Sequence, residues 1–194
     1  MTRTSTEAIV LVGPMGAGKS SIGRRVAREL GLPFTDTDTL VVRDHGPIAQ
    51  LFATQGEAGF REMERGAVQE ALARGGVVAL GGGAILDPAT RTDLGAHHVV
   101  LLTVSPQIVK ARIQGARRPL LADGDDPVAR WEAIVASRSA LYAEVADVTF
   151  DTSHGPLALV VKDIVSWARH MREGRGIPAN GNAWDALSEG TETK

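Results

Sequence analysis

The sequence predicts an α/β fold of three layers, in which helices cover both faces of a five-stranded parallel sheet. Short apolar runs typical of strands alternate along the chain with segments of helical periodicity, and this alternation favours parallel strands joined by helices. The first of these runs is continuously apolar, as expected of a strand that is buried on both faces. The 194 residues suffice for one such domain but not for two of ordinary size.

Five segments have the length and composition of strands. The first, residues 8–12, reads AIVLV and leads directly into a glycine-rich turn. The other four predicted strands cover residues 32–35, 77–80, 99–104 and 148–151.

Helices are predicted between these strands. After the first strand, Ile22, Val26 and Leu30 recur at every fourth position and form one apolar helical face. Gly31 follows this face directly and suits the C-terminal cap of the helix. Further helices are predicted at 47–52 and 57–72. Three more are predicted from about Pro106, Pro127 and Pro156, since proline suits the first turn of a helix.

Two segments lack periodicity. Residues 114–126 are rich in Gly, Ala, Arg, Pro and Asp and are long enough to form a mobile lid. Residues 173–194 are rich in Gly, Asn, Ser, Thr and Glu, which predicts a disordered C-terminal tail with Trp184 as a candidate docking residue. We therefore expect a single domain over residues 1–172 that carries the lid, followed by the tail.

Composition argues against several classes of function. The net charge is only -2 and the Lys and Arg residues are dispersed, so neither nucleic acid nor a membrane surface is expected as a partner. The absence of cysteine excludes disulfides, thiolate metal sites and a cysteine nucleophile, and it suits a reducing cytoplasm. The five histidines have no ligand-like spacing, and we expect them in surface or loop positions. No apolar run is long enough to cross a bilayer.

Residues 13–20 read GPMGAGKS and match the phosphate-loop pattern G-x-x-x-x-G-K-[ST] in full. In such a loop, glycines let backbone N–H groups converge on a phosphate, Lys19 supplies a cation for the β- and γ-phosphate oxygens, and the Ser20 hydroxyl can hold Mg²⁺. The alternative is a glycine turn with an exposed lysine. The position between a buried strand and an amphipathic helix favours the phosphate loop.

The carboxylate that supports Mg²⁺ is expected after the second strand. The third strand ends in glycine, where many phosphate-loop proteins have an aspartate. Asp36 and Asp38 follow the second strand, and residues two apart on an extended segment point the same way. One of them could serve the metal while the other accepts a hydrogen bond from a substrate hydroxyl. Taken alone, Asp-Thr-Asp is more often a helix-capping turn.

Three arginines are candidates for binding anions. Arg61 and Arg138 have neighbours that would also suit a solvated helix face. Arg118 stands in the motif RRPLL of the predicted lid, where a cation could stabilise phosphoryl transfer.

Between residues 9 and 151 the chain resembles the shikimate kinases, because a set of motifs occurs in that family's order. The phosphate loop alone marks only a superfamily, whereas the ordered set is specific. The matching segments are 13–20, 36–38, Gly56-Glu57, Phe60-Arg61 with Glu64, 81–83, 118–121, and Arg138 with Leu141-Tyr142.

The resemblance implies a P-loop NTPase fold similar to that of nucleoside monophosphate kinases, and an enzyme of chorismate and aromatic amino acid biosynthesis. Its reaction would transfer the γ-phosphoryl group of ATP to the 3-hydroxyl of shikimate, with Mg²⁺ as the cofactor. The expected partners are the two small-molecule substrates, and we expect a monomer. A gluconate-type kinase and a non-catalytic nucleotide-binding module are the alternatives. Asp38 and Arg118 argue against the latter, since nucleotide binding alone requires neither.

The resemblance also implies the roles of individual residues. Lys19, Asp38 and Arg118 would be catalytic, and Ser20 and Asp36 would hold the metal. The implied ATP site contains Gly13, Gly16, Ala17, Gly18, Lys19, Ser20, Ser21, Arg112, Arg118 and Pro156. The implied shikimate site contains Asp38, Arg61, Gly81, Gly82, Gly83 and Arg138.

Overall fold

The computed structural model describes residues 7–113 and 126–172, with side chains for all of them except Arg112 and Ile113. The predicted lid lies outside the described residues, apart from Asp126. The predicted tail at 173–194 lies outside them as well.

Five parallel strands form one sheet, as the sequence predicts. Each strand pairs with its neighbours in parallel, in the order β2-β3-β1-β4-β5. The strands are β1 (Ile9–Val12), β2 (Phe34–Asp36), β3 (Val77–Ala79), β4 (His98–Thr103) and β5 (Val148–Asp151). Their bounds differ from the predicted ones by at most two residues at either end.

Seven α-helices and one short 3₁₀ helix are present in the described parts of the chain. They are α1 (Lys19–Leu30), α2 (Thr37–His45), α3 (Ile48–Arg74), the 3₁₀ helix (Ala84–Leu86), α4 (Pro88–Leu94), α5 (Pro106–Ile113), α6 (Pro127–Val145) and α7 (Leu157–Arg172). None of the helices in the described ranges is long and apolar enough to span a membrane.

The sheet separates two apolar cores. Ile9 and Leu11 of β1 pack into the core formed with α1, α5 and α7, whereas Val10 and Val12 pack into the core formed with α2, α3 and α4. Both faces of β1 are therefore buried, which explains its continuous apolar run. Helix α6 contributes to both cores, with Trp131 in the first and Tyr142 in the second.

The ends of α1 follow from two glycines. Gly18 has a φ of 89° and directly precedes Lys19, and Gly31 has a φ of 66° at the C-terminal end. The Gly31 N–H donates to the Arg28 carbonyl, and the Leu32 N–H donates to the Ala27 carbonyl at 2.9 Å. The predicted glycine cap is thus confirmed.

The expectation that residues 36–38 are extended is wrong beyond Asp36. The chain enters α2 at Thr37, because the Asp36 side chain accepts a hydrogen bond from the Thr39 N–H at 3.1 Å and caps the helix. The capping-turn interpretation of this segment is therefore correct locally, and Asp38 belongs to the first helical turn.

The two helices predicted around residues 47–72 form the single element α3, with a break at Gly56. This glycine has φ 70° and ψ −179°, which is not a helical conformation. Helix α4 was not predicted. Its start is stabilised by Asp87, whose carboxylate accepts from the Thr90 N–H at 2.9 Å, and by Pro88 in the first turn.

His97 is half-buried and has a structural role, which differs from the expected surface position. Its Nδ1 accepts a hydrogen bond from the Ala8 N–H at 3.1 Å and so ties the turn before β4 to the residue before β1. Burial lowers the pKa of His97, an effect that Asp93 and Glu7 oppose and His98 reinforces. A protonated Nδ1 cannot accept this hydrogen bond.

We predict that His97 makes stability depend on pH. Its pKa in the folded state lies below the ordinary value of 6.5, so the unfolded chain binds more protons once the pH falls below 6.5. The stabilisation is present above that pH and is lost as the pH falls through the folded-state pKa. In urea unfolding between about pH 7.5 and about pH 5.5, His97→Asn, whose amide oxygen can accept the same bond, should flatten the decline in the free energy of unfolding. An equally steep decline in the variant would contradict this role.

Candidate active site

A cleft of about 760 Å³ opens where the carboxyl ends of β1, β2 and β3 meet. Ligands bind at this edge in open parallel sheets. The sequence-predicted residues that line it are Gly16, Gly18, Lys19, Ser20, Ser21, Asp36, Asp38, Arg61, Gly82, Gly83 and Arg138. The structure thus brings most of the predicted site together.

The phosphate loop needs glycine at its start. Gly13 has a φ of 135°, and a Cβ at this position would collide with the carbonyl oxygen of Leu102 in β4. Gly16 and Gly18 also have positive φ angles, of 85° and 89°. These conformations lead the chain from β1 into the first turn of α1, whose N-terminal end favours anions.

Lys19 lies over its own loop. Its Nζ donates to the carbonyl oxygens of Gly13 at 2.7 Å and Pro14 at 3.0 Å. These contacts keep the ammonium group at the cleft, where a phosphate could replace the carbonyl oxygens as its partner.

Ser20 and Asp36 meet at the rim of the cleft. The Ser20 hydroxyl donates to Asp36 Oδ2 at 2.5 Å, which joins the end of β2 to the first turn of α1. A hydroxyl and a carboxylate oxygen this close suit Mg²⁺, which prefers oxygen ligands and is usually held by one or two protein groups together with phosphates. The donor set therefore fits the predicted metal.

Two carboxylates flank Gly81. A Cβ on this glycine would lie 2.5 Å from Glu64 Oε1 and 2.7 Å from Asp38 Oδ1, so the missing side chain makes room for both groups. The Gly81 N–H donates to the buried Thr37 hydroxyl at 2.9 Å. This bond fixes the glycine segment to the start of α2, which carries Asp38.

Glu64 is a buried acid, with only 3% of its surface exposed. Burial raises the pKa of its carboxyl group, and Asp38 acts in the same direction. Arg61 and Arg138 oppose the shift, so both arginines lie close enough to interact with this carboxylate.

Arg61 is held by two acids of its own helix. Its Nη1 donates to Glu64 at 2.5 Å and its Nη2 donates to Glu57 at 3.0 Å, whereas its buried Nε has no hydrogen-bond partner. The guanidinium lies against Gly83, where a Cβ would collide with it. Arg61 thus has the helical partners of a solvated face, yet it lines the cleft and is largely buried.

Arg138 and Tyr142 hold the middle glycine of the triple-glycine segment. Arg138 Nη1 donates to the Gly82 carbonyl oxygen at 3.1 Å, and the Tyr142 hydroxyl donates to the same oxygen at 2.6 Å. Gly82 also lies near the phosphate loop, since a Cβ on it would be 3.6 Å from the Gly13 oxygen and 3.7 Å from the Met15 nitrogen. Helix α6 therefore secures the contact between the two glycine segments.

Some predicted site residues do not line the cleft. Gly13, Ala17 and Gly81 are buried and form the backbone behind its surface. Pro156 is exposed before α7 and does not line the cleft. The Arg112 side chain and the whole of Arg118 lie outside the described residues.

Sequence reasoning assigned no role to several residues that shape the site. Glu64 lies on the inward face of α3 together with Phe60 and Ala67. A carboxylate on this otherwise apolar helix face is the feature of the sequence that could have identified it. Tyr142 and Trp131 share a face of α6 with Arg138, at spacings of four and seven residues. Thr37 lies between the two predicted aspartates, but the sequence analysis assigned no role to its hydroxyl.

Comparison with known proteins points to one family. The family model described as Shikimate kinase matches residues 15–169. The shikimate kinase of Halorhodospira halophila is 46% identical over 163 residues, which cover 81% of this chain and 90% of that protein. The structure of the shikimate kinase from Acinetobacter baumannii in complex with shikimate has a TM-score of 0.78 at 33% identity, covering 89% of this chain and 96% of that one.

A gluconokinase from Sinorhizobium meliloti has a TM-score of 0.62 at 21% identity, covering 89% of this chain and 97% of that one, and this likeness concerns the fold alone. The fold and the cleft define a P-loop kinase that acts on a small molecule. Within that class, the chain belongs to the shikimate kinase family, whose members are ATP-dependent kinases of an alcohol group of shikimate.

We predict that Tyr142 titrates abnormally late. Burial raises its pKa to about 12 from an ordinary value of 10.0, with Arg138 acting in the opposite direction. Tyr142 is the only tyrosine in the chain, so the near-ultraviolet absorbance of tyrosinate reports this group alone. The folded protein should show little tyrosinate at pH 10, whereas the guanidinium-unfolded chain should be half ionised there.

The same shift has a consequence for stability. Because the pKa is raised in the folded state, the stabilisation by Tyr142 is present below about pH 10 and is lost as the pH rises towards 12. Circular dichroism at each pH separates titration from unfolding, and Tyr142→Phe should abolish the absorbance signal. Ordinary titration of the folded protein would contradict the burial of the Tyr142 hydroxyl.

Proposed function

We propose that this chain transfers the γ-phosphoryl group of ATP to the 3-hydroxyl of shikimate, giving shikimate 3-phosphate and ADP. The observation that carries the proposal is the convergence of a phosphate loop, Asp38 and two arginines on one cleft. Family membership supports the same reaction, since the matched relatives bear the name shikimate kinase.

ATP would bind with its β- and γ-phosphates over the loop of residues 13–20. Lys19 would exchange its carbonyl partners for phosphate oxygens, and Mg²⁺ would be held by Ser20 and by Asp36 directly or through water. The bound ion would neutralise charge on the phosphates as they react.

Asp38 would accept a hydrogen bond from the attacking hydroxyl of shikimate. Asp38 lines the same cleft as Lys19, and the triple-glycine segment lies beside both groups, with Gly81 next to Asp38 and Gly82 next to the phosphate loop. A carboxylate that accepts the hydroxyl hydrogen bond orients the oxygen towards phosphorus, and it can take the proton as the new bond forms.

Arg61 and Arg138 would bind the shikimate carboxylate. Guanidinium forks fit a carboxylate in a bidentate manner and stay charged at any working pH. Glu64 and Glu57 hold Arg61, and the Gly82 carbonyl holds Arg138, so neither fork needs to be ordered when the substrate arrives. Phe52 and Phe60, with ring centroids 4.6 Å apart, also line the cleft and would contact the face of the substrate ring.

Residues beyond these groups complete the proposal. Arg118 would approach the transferred phosphoryl group as the predicted lid closes, and closure would exclude water and limit ATP hydrolysis. Arg112 and Pro156 would contact adenine. We also propose that the enzyme acts as a monomer in the cytoplasm, which its lack of cysteine suits.

We predict Mg²⁺-dependent release of ADP from ATP that rises sharply when shikimate is added. The reason is that the attacking hydroxyl must be aligned before transfer can proceed. A coupled assay of ADP measures the rate, with gluconate as the comparison acceptor. Equal release with gluconate, or no release with either acid, would remove shikimate as the substrate.

We predict that Arg61→Ala and Arg138→Ala each weaken shikimate binding by about 1.5 to 3 kcal/mol, the typical value of a hydrogen bond to a charged group. ATP affinity should change little, and calorimetric titration with each ligand measures both. Arg74→Ala is the matched control, since Arg74 lies on α3 like Arg61 but pairs with Glu70 outside the cleft.

Arg61→Ala also leaves the buried Glu64 carboxylate without its main partner, which is expected to destabilise the fold. Arg61→Lys keeps the charge but not the fork, and it should still weaken shikimate binding. Unchanged shikimate affinity in Arg61→Ala, Arg61→Lys and Arg138→Ala would show that both arginines have a purely structural role.

A further inference from the structure

The indole of Trp131 contacts the backbone of the phosphate loop. Trp131 lies in the second turn of α6, is 3% exposed and lines the cleft. Its Nε1 donates to the carbonyl oxygen of Met15 at 2.9 Å, across 116 positions of sequence. Met15 is the third residue of the phosphate loop.

This hydrogen bond is not a general consequence of burying tryptophan in this fold. Trp167 is fully buried in the same apolar core, yet its Nε1 has no hydrogen-bond partner. The indole N–H of Trp131 differs because it meets a loop carbonyl at the wall of the cleft.

The Met15 carbonyl oxygen, which accepts this bond, belongs to a peptide group whose orientation matters for phosphate binding. The Met15 carbonyl and the Gly16 N–H belong to one planar peptide group and point in opposite directions. Gly16 has a φ of 85°, and glycine can rotate about such a peptide at little cost. A bond that holds the Met15 oxygen therefore also fixes the direction of the Gly16 N–H, one of the amides that phosphate loops turn towards phosphate.

The helix that provides this bond is itself fixed. Arg138 lies seven residues after Trp131, which is about 10 Å further along α6. Arg138 donates to the Gly82 carbonyl oxygen, and Tyr142 donates to the same oxygen. A single rigid element thus holds the Met15–Gly16 peptide at one end and the triple-glycine segment at the other.

We propose that Trp131 is a positioning residue for the nucleotide: its indole N–H locks the Met15–Gly16 peptide in the orientation that receives the phosphates of ATP. This role rests on the proposed function for the identity of the reaction, but the binding of ADP alone is enough to test it.

The test compares Trp131→Phe with the matched control Trp167→Phe. Both variants remove a buried indole N–H, but only the first removes a hydrogen bond. In calorimetric titrations with Mg·ADP, we expect affinity to fall about three- to tenfold in Trp131→Phe, the effect of losing one hydrogen bond, and to change less than about twofold in the control. The KM for ATP should rise by the same factor while the KM for shikimate stays constant.

A second variant separates positioning from folding. Trp131→His keeps an aromatic ring with an N–H donor, and it should recover part of the ADP affinity that Trp131→Phe loses. Melting temperatures of all three variants report the integrity of the fold. The proposal is overturned if Trp131→Phe binds ADP like the wild type, if both phenylalanine variants lose equal affinity, or if Trp131→His gives no recovery.

The outcomes also distinguish this role from the proposed function. If the wild-type protein binds ADP but shows no shikimate-dependent release of ADP, the proposed reaction fails. The comparison of ADP affinities between the variants would still decide the role of Trp131.

Discussion

The parallel register of three neighbouring strands is the constraint on which the site depends. Leu11 of β1 and Asp36 of β2 both pair with Ala79 of β3, so the three strands end side by side. From this row the chain continues into the phosphate loop, the turn that carries Asp38 and the triple-glycine segment. A slip of one residue in any strand would turn its buried side chains to the opposite face and separate these groups. The two apolar cores prevent such a slip.

Three glycines, which carry no side chain, leave space for the charged groups and the phosphate loop at that edge of the sheet. Gly81 makes room for Asp38 and Glu64, Gly83 makes room for the Arg61 guanidinium, and Gly13 allows the phosphate loop to pass the backbone of β4. Charges can therefore approach one another closely, and each buried charge has an opposite charge or a carbonyl beside it. This pairing offsets the cost of burying charge, and it holds the two guanidinium groups in fixed orientations.

The sequence was sufficient for features set by local periodicity or by a complete motif. It predicted the five strands, the cap of α1 at Gly31 and the phosphate loop, because each depends on neighbours in sequence. It failed at α2, where the Asp36 side chain caps a helix whose apolar pattern is weak. It also could not find the bond between Trp131 and Met15, since a contact from a side chain to a distant carbonyl leaves no spacing to recognise. Arg118 and Arg112 remain predictions.

In the proposed complex, a nucleotide on the phosphate loop faces a shikimate molecule, whose carboxylate meets Arg61 and Arg138 and whose 3-hydroxyl meets Asp38. A crystal structure of the protein with Mg·ADP and shikimate would show whether this arrangement forms. We expect the carboxylate within hydrogen-bond distance of both guanidinium groups and the 3-hydroxyl against Asp38, on the side of the β-phosphate. A shikimate molecule bound with its carboxylate away from both arginines, or with Asp38 turned out of the cleft, would contradict it.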